Sequence, residues 1–550
     1  MADATMGSAP RPGLFLRNAT GLVKAWSTFD AFVYSFWSVN LITLGLYGMS
    51  FVYSVPDGQL LLGILLFGVL TTFLVVTYAM LVAVMPRTGG DYAWQSRVLG
   101  GGIGFVFSIT GWWFTLFLWA PIYANILVVQ FFSPLAYTLG WNGVSTFFTS
   151  QTGIFVSCLI VLAFVAVVVT MGMETYARIQ KICFWIGLAG LAVVCVLLLV
   201  SSQSDFQSAF NRESTSIFGA PANAYQATID AAGKGGFPGS DFGHVAFGPI
   251  LLLLPWLAFY LLWPNWGATL YGEVRGAKDI RKPFWSMFWG LWVTVAMVAV
   301  VLLLMVKTFG WNFYQASNSL YWGSLIGGPA PVVPIWPYPV MYAGFLVNSH
   351  LFQAALIIVM GLWFFGWAGT LFLSSTRVIF AAAFDRVLPA WAANISAKRR
   401  VPYGSLVLMI VPSLVISAIY AYKPSFTSVF LDATAVLALT FFATVVAAII
   451  LPWRRKDLYD ASPIARYTVA GIPAITVVGV ITGAFLLFML YEWSFNSADL
   501  YGTTFSSTPN SVYYFLATYI VAVVIYVVAR IVRSGQGIDL RRIHHEIPVE

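Results

Sequence analysis

The chain has 550 residues, of which 60% are hydrophobic, 17% aromatic and only 9% charged, with a formal net charge of +8 and a mean hydropathy of +0.84. Soluble globular chains carry roughly a quarter charged residues, so the charges here are too few to cover a water-facing surface. The composition excludes a soluble fold and makes a lipid bilayer the solvent.

Residues 1–29 hold no continuous apolar core of the kind a cleaved leader needs, and they read as a cytoplasmic N-terminal segment. A helix needs about 20 mostly apolar residues to cross the hydrocarbon layer. Such runs fall near 30–54, 59–85, 103–132, 153–171, 180–201 and 246–272. Six more follow near 284–307, 340–376, 403–422, 427–452, 469–492 and 511–532. They are too long and unbroken for barrel strands, and unpaired backbone groups are costly in lipid. The expected fold is an all-α polytopic membrane protein with twelve transmembrane helices. In order, 30–201 holds the first five spans, 202–245 an extracellular loop and 246–452 the next five. Residues 453–532 hold the last two, and 533–550 form a cytoplasmic tail. The loops 202–245 and 308–339 are rich in Gly, Pro, Ser, Asn and aromatics; they read as covering lids with local turns, too small for a core of their own. Cys158, Cys183 and Cys195 all lie in apolar runs and read as buried apolar side chains, with no disulfide framework.

The basic residues test this layout independently. With the N-terminus inside, 24 of the 28 Lys and Arg residues fall in cytoplasmic segments, and only Arg212, Lys234, Lys307 and Lys423 fall outside. That asymmetry is the positive-inside pattern, and one missed span would scramble it. Both termini are therefore expected in the cytoplasm, with the protein in the cell membrane. The same clustering between spans argues against a nucleic-acid partner.

The membrane interior is poor in ionisable groups, the usual pointer to intramembrane function. Asp30, Asp432 and Glu492 lie at expected helix ends, and His350 near the outer end of its span. One such histidine cannot supply paired haem ligands. The chain has no HExxH zinc motif and no phosphate-binding GxxxxGK[ST]. An enzyme or a cofactor is not expected, and a proton pump built on a chain of buried carboxylates is disfavoured. What remains is transport by backbone dipoles, hydroxyls and aromatics.

Two spans are unsuited to be plain struts. The first reads SFWSVNLITLGLYGM, with Ser38, Asn40 and Thr43 before Gly45 and Gly48; the sixth reads LAFYLLWPNWGATLYGE, with Pro264, Asn265 and Gly267 in mid-span. Proline removes a backbone donor, and glycine lowers helix preference by up to ~1 kcal/mol. Interrupted segments at matching places in two halves point to a carrier site, where half-helix ends meet an anion and free carbonyls a cation. An amino acid has both charges. The interruptions are five spans apart, an odd number, so two five-helix units must cross the membrane in opposite senses, with spans eleven and twelve outside the repeat.

Three loops carry a family resemblance. MPRTGGDYAWQSRVLGGGIGF (85–105), YGEVRGAKDIRKPF (271–284) and SSTRVIFAAAFDRVLPAW (374–391), followed by RRVPYGS (399–405), resemble the cytoplasmic signatures of the amino acid–polyamine–organocation (APC) superfamily. All fall on the side that the charges assign to the cytoplasm. The resemblance implies the five-plus-five inverted-repeat (LeuT-like) fold and secondary transport of amino acids or related amines by alternating access. It puts the substrate between breaks at about Ser38–Gly45 and Phe259–Asn265. There Asn40 and Thr43 offer side-chain hydrogen bonds where many members offer bare glycine backbone, and Tyr260 and Trp263 cover the substrate side chain. Arg87, Asp91, Arg377 and Asp385 are expected at the inner gate. The coupling ion is expected to be a proton or sodium, with Thr370, Ser374 and Ser375 as the sodium ligands to consider. A lysine that some relatives carry inside span five is missing; the position falls near Ile186 or Gly187, and the nearest basic residue is Lys181. The alternatives are a channel, a membrane-embedded enzyme or a sensor using the same cavity without transport. A channel predicts rings of like side chains, and an enzyme a cluster of His, Asp and Glu at one face, approached only by His544, His545 and Glu546.

Overall fold

The computed structural model describes residues 21–423, 433–495 and 509–547. Twelve helices among them are long and apolar enough to cross a membrane: Thr28–Met49, Leu60–Val84, Gly101–Thr138, Gln151–Thr170, Met173–Val200 and Phe247–Glu273, then Arg281–Phe309, His350–Phe384, Tyr403–Tyr422, Ala433–Arg454, Ala474–Phe495 and Ser511–Gly535. They are numbered here as spans one to twelve. The protein is an all-α polytopic membrane protein; the only strands among the described residues are the two-residue pair Thr468–Val469 and Ile472–Pro473. Arg11, Arg17, Asp432 and the expected start of span ten at 427–432 lie outside the described residues.

Three expectations shift. Span eight begins at His350 because Pro339–Phe345 forms a separate short helix, and Ser349 caps the new start by accepting from the Phe352 N–H. Span five begins at Met173, since its polar first turns around Glu174 and Arg178 extend the helix past the apolar run. The lids are helical. Residues 202–245 contain Gln203–Phe218 and Ala224–Lys234, and 308–339 contains Trp311–Ser324. Ser202 and Asp205 form a reciprocal cap at the start of the first, and Gly219 ends it in the left-handed region. These helices hold together through aromatic faces, with Tyr225 stacked on Phe313 at 4.1 Å.

Burial grades the spans by role. Spans one, three and eight are the most enclosed, at 89%, 78% and 78%, whereas span twelve is only 11% buried and sits at the rim. Loop contacts sort into two separate sets, as an even count of spans requires. On the basic face, Arg399 donates to the Thr170 carbonyl at 3.2 Å and Arg533 to the Arg386 carbonyl at 2.9 Å. On the opposite face, Ser240 donates to the Pro56 carbonyl at 2.9 Å, and Lys307 to the Leu199 carbonyl at 2.7 Å.

Candidate functional site

Span one breaks where the sequence shows it. The helix Thr28–Val39 stops at Asn40, whose φ of 41° lies outside helical space, and the chain continues as a wide turn over Leu41–Gly45 before Leu46–Met49. Asparagine tolerates positive φ better than most residues. Its Oδ1 accepts from the Thr43 N–H at 3.1 Å and so caps the second half. Its Nδ2 and the Thr43 hydroxyl have no hydrogen-bond partner among the described residues, although both are fully buried. The Thr43 carbonyl is engaged by Gln130 of span three at 2.9 Å. Ser38 is committed elsewhere, donating to the Tyr34 carbonyl at 2.9 Å. Gly45 makes room for Tyr260: a Cβ there would lie 3.4 Å from its ring.

Span six breaks opposite. The helix Phe247–Leu261 ends, and Pro264–Glu273 resumes as a tighter 3₁₀ helix. The two breaks are tied together by Ser35, which donates to the Pro264 carbonyl at 2.9 Å. Trp263 donates to the Phe259 carbonyl at 2.6 Å, so both are positioned by the end of the first half. The Tyr260 hydroxyl, both amide atoms of Asn265 and the Trp266 indole N–H are buried without hydrogen-bond partners among the described residues. A buried polar atom left in this state costs about 1–3 kcal/mol.

Sequence reading missed the third wall. Trp119 of span three lies 5.7 Å from Trp263, 5.9 Å from Phe259 and 6.0 Å from Trp266, ring to ring. Tyr123, one turn on, stacks at 3.6 Å on Trp367 of span eight. Trp119, Tyr123 and Trp367 also keep unpartnered polar atoms. Span three leaves regular helix at Thr110–Leu118 and again at Val128–Phe132. Its run TGWWFTLFLWAPIY holds the only signal, a Gly and a Pro among aromatics, and aromatics are everywhere in this chain.

Of the three hydroxyls considered for sodium, one meets a phenol. Tyr34 of span one donates to the Thr370 backbone carbonyl at 2.5 Å, and its hydroxyl lies 2.6 Å from the Ser374 Oγ, which in turn donates to the Trp266 carbonyl at 3.0 Å. The Thr370 hydroxyl instead donates to the Trp367 carbonyl at 2.8 Å, and Ser375 has no hydrogen-bond partner among the described residues. The span-five position near Gly187 is filled from outside: a Cβ there would come within 2.8 Å of the Trp363 indole, which donates to the Gly187 carbonyl. Lys181 is paired with Asp30 at 2.8 Å.

The four residues expected at the inner gate do not pair with one another. Arg377 forms a bidentate pair with Glu273 at 2.8 and 3.2 Å, clamping span eight to the end of span six. Asp385 is held by Arg97 at 2.5 and 3.0 Å. Arg87 donates to the Pro86 carbonyl at 3.2 Å. Asp91 meets no cation at ion-pair distance among the described residues: its carboxylate accepts from Tyr78 at 2.5 Å, Thr444 at 2.6 Å and Trp112 at 3.1 Å. Arg97 and Glu273 are thus the missed partners. The C-terminal tail covers this layer, with His544 3.1 Å from the Tyr92 hydroxyl and 3.9 Å from Asp385. Trp26, before span one, straps it further by donating to the Met173 carbonyl at 2.9 Å and, through its backbone, to Glu273 at 3.1 Å.

The opposite face is shut by aromatics. Phe51 stacks between Trp256 at 5.1 Å and Trp322 at 4.3 Å, and Trp322 donates to the Ser50 hydroxyl at 3.0 Å. Outside this plug a cavity of about 500 Å³ opens beside Trp336, Tyr420 and Asn125. A second, of about 350 Å³, lies on the basic face against Glu273 and Arg399.

Two interrupted helices that meet at a buried cluster of polar and aromatic side chains, inside a twelve-span bundle, are the arrangement found in membrane carriers. The amino acid permease family model matches residues 27–525, and the chain belongs to that family. Over 435 residues it is also 22% identical to the branched-chain amino acid permease BcaP of Lactococcus lactis subsp. cremoris (strain MG1363), an alignment covering 78% of this chain and 81% of that protein.

Proposed function

We propose that the chain is a secondary transporter that carries neutral amino acids through the cell membrane by alternating access, here in an occluded state. One observation carries the reading: the unpartnered buried atoms of Asn40, Thr43, Tyr260 and Asn265 gather at the facing breaks of spans one and six. The side-chain preference follows from the walls. Trp119, Phe259, Tyr260 and Trp263 offer apolar area and no charge, and an isolated charge buried among them would be very costly. A zwitterion's own charges can meet half-helix ends, but an acidic or basic side chain would have no partner. Branched-chain amino acids, the substrates named for the similar permease BcaP, would suit such walls.

In this reading the basic face is cytoplasmic, with both termini inside. Spans one to five and six to ten form the inverted repeats, over 30–201 and 246–452, and 453–532 stands outside them. Arg377–Glu273 and Arg97–Asp385 are the inner latch, pairs that must separate before substrate leaves. The test is counterflow of labelled leucine, isoleucine, valine and phenylalanine in proteoliposomes, with lysine and glutamate alongside. Saturable exchange of the neutral set alone is expected; no saturable exchange of any amino acid would sink the reading.

A further inference from the structure

We propose that Asp91 is the proton-binding site that couples transport to proton movement, and that it reports to the chamber through Tyr78 and Asn265. The inference rests on the transporter reading above and names its coupling ion.

Asp91 opens the helix Asp91–Val98, which lies between spans two and three. It is fully buried, yet among the described residues it is held by three neutral donors and by no cation at ion-pair distance. Of the charged groups on the elements packed around this helix, Arg454, Arg541 and Arg542 are exposed, and the others bond elsewhere. Arg97 holds Asp385, Arg377 of span eight holds Glu273, and Arg455 after span ten holds Asp457. Arg87 bonds the Pro86 carbonyl, and Tyr92 faces His544 of the tail. Burial raises the Asp91 carboxyl, and although hydrogen bonds from Thr444, Tyr78 and Trp112 offset part of that rise, it is pushed up from 3.8 to about 6.

A second group completes the device. Asn265, in the break of span six, is fully buried and makes no other side-chain hydrogen bond among the described residues, and its amide lies close enough to the Tyr78 hydroxyl to interact with it. With Asp91 ionised, the Tyr78 O–H points at Asp91. When one proton binds Oδ1, the new O–H donates to the Tyr78 oxygen, and the Tyr78 O–H turns to the Asn265 carbonyl oxygen. No bond to carbon changes; one proton is added and one hydrogen bond changes direction. The amide is then held with its N–H groups free for the chamber. The loop carrying Asp91 is fastened to the same half of span six, because the Gly89 N–H donates to the Thr269 carbonyl at 2.9 Å. Opening of the basic face would lift this loop, admit water and return the carboxyl to ordinary acidity. The proton would then leave on that side with the substrate, an inward symport in the orientation proposed above.

The test uses the full chain in proteoliposomes, with infrared difference spectra and labelled leucine uptake followed from about pH 5 to about pH 8. The wild type should show a protonated-carboxyl band growing as pH falls through about 6, absent from Asp91→Asn. Its uptake should fall by about tenfold per unit above that pH, whereas the D91N profile should be flat. Tyr78→Phe should keep the band and lose the pH dependence. Wild-type uptake indifferent to pH, or a D91N profile matching the wild type, would overturn proton coupling and leave the transporter reading standing. A titrating band with no amino acid uptake would remove the transporter reading and the coupling with it. A Y78F profile like the wild type would overturn the relay.

Discussion

Asn40 does two things that different substitutions separate. Its Oδ1 caps the turn after the break, and its Nδ2 is buried without a hydrogen-bond partner among the described residues. Asn40→Gly keeps the positive φ and gives up little as a cap, a few tenths of a kcal/mol, but it loses the amide. Substrate affinity should fall about tenfold, the worth of one hydrogen bond of ~1.4 kcal/mol, with the thermal midpoint nearly unchanged; an N40G variant that binds labelled leucine like the wild type would remove the amide from the site. The latch separates its members more sharply. Arg97→Ala strips the bidentate guanidinium from buried Asp385, and breaking such a buried pair costs about 3–5 kcal/mol, while Arg87→Ala, outside the latch, removes one carbonyl contact and should stay within about 0.5 kcal/mol. Thermal unfolding in detergent, read beside uptake, checks both. Asp91 adds a pH term whose sign is fixed by its raised value. The folded form binds the proton more tightly than the unfolded chain, so stability is greatest below the unfolded value of 3.8 and is lost as pH rises to about 6. The whole effect is about 3 kcal/mol. The melting temperature should therefore fall between about pH 4 and pH 6.5, and the D91N variant should lack that slope.

At the scale of elements, what could be read in advance was whatever breaks a helix chemically. Pro264 removes a donor, and Gly45 and Gly48 withhold side chains so that Tyr260 can approach. The irregular turns of span three are different: in Thr110–Leu118 the only strong helix breaker is Gly111, among threonines and aromatics common throughout this chain. For that reason Trp119 and Tyr123 were not legible, although they complete the chamber. The helical lids were legible in principle, through the Ser202 and Asp205 cap and the Gly219 stop, signals that the surrounding Gly, Pro and Ser masked. The loop before Asp91 shows how little slack separates two elements. Gly90 has φ +38°, and a Cβ there would sit 3.0 Å from the Ala268 carbonyl and the Thr269 backbone. Gly90→Ala should push this loop off span six and abolish most uptake, while Gly143→Ala, with nothing within 4 Å, should leave it intact. Equal uptake by the two variants at matched expression would show that the close approach is incidental.

For the whole molecule, the scarcity of charge does more than identify the solvent. Because so few charges exist, the positions of the basic residues divide the chain into two faces, and the twelve helices observed alternate in step with that division. The acids behaved differently: Glu273 and Asp385 are buried partners of arginines and not loop residues in water, a distinction that spacing along the chain does not carry. Orientation follows from the faces if the basic one is retained on the negative-potential side during insertion. Lys234, at the end of the lid helix Ala224–Lys234, and Lys456, in the loop after span ten, are both exposed and belong to opposite faces. Neither anchors the fold: the Lys456–Asp460 pair is a surface i,i+4 contact, a class worth less than ~1 kcal/mol. The native cysteines give little background, with Cys158 and Cys183 buried and Cys195 half-buried within span five. A membrane-impermeant thiol reagent added to intact cells should therefore label Lys234→Cys at once. It should reach Lys456→Cys only after the membrane is opened. The reverse order would invert the protein, turn the latch of Arg97 and Arg377 outward, and make the proton leaving Asp91 an export current.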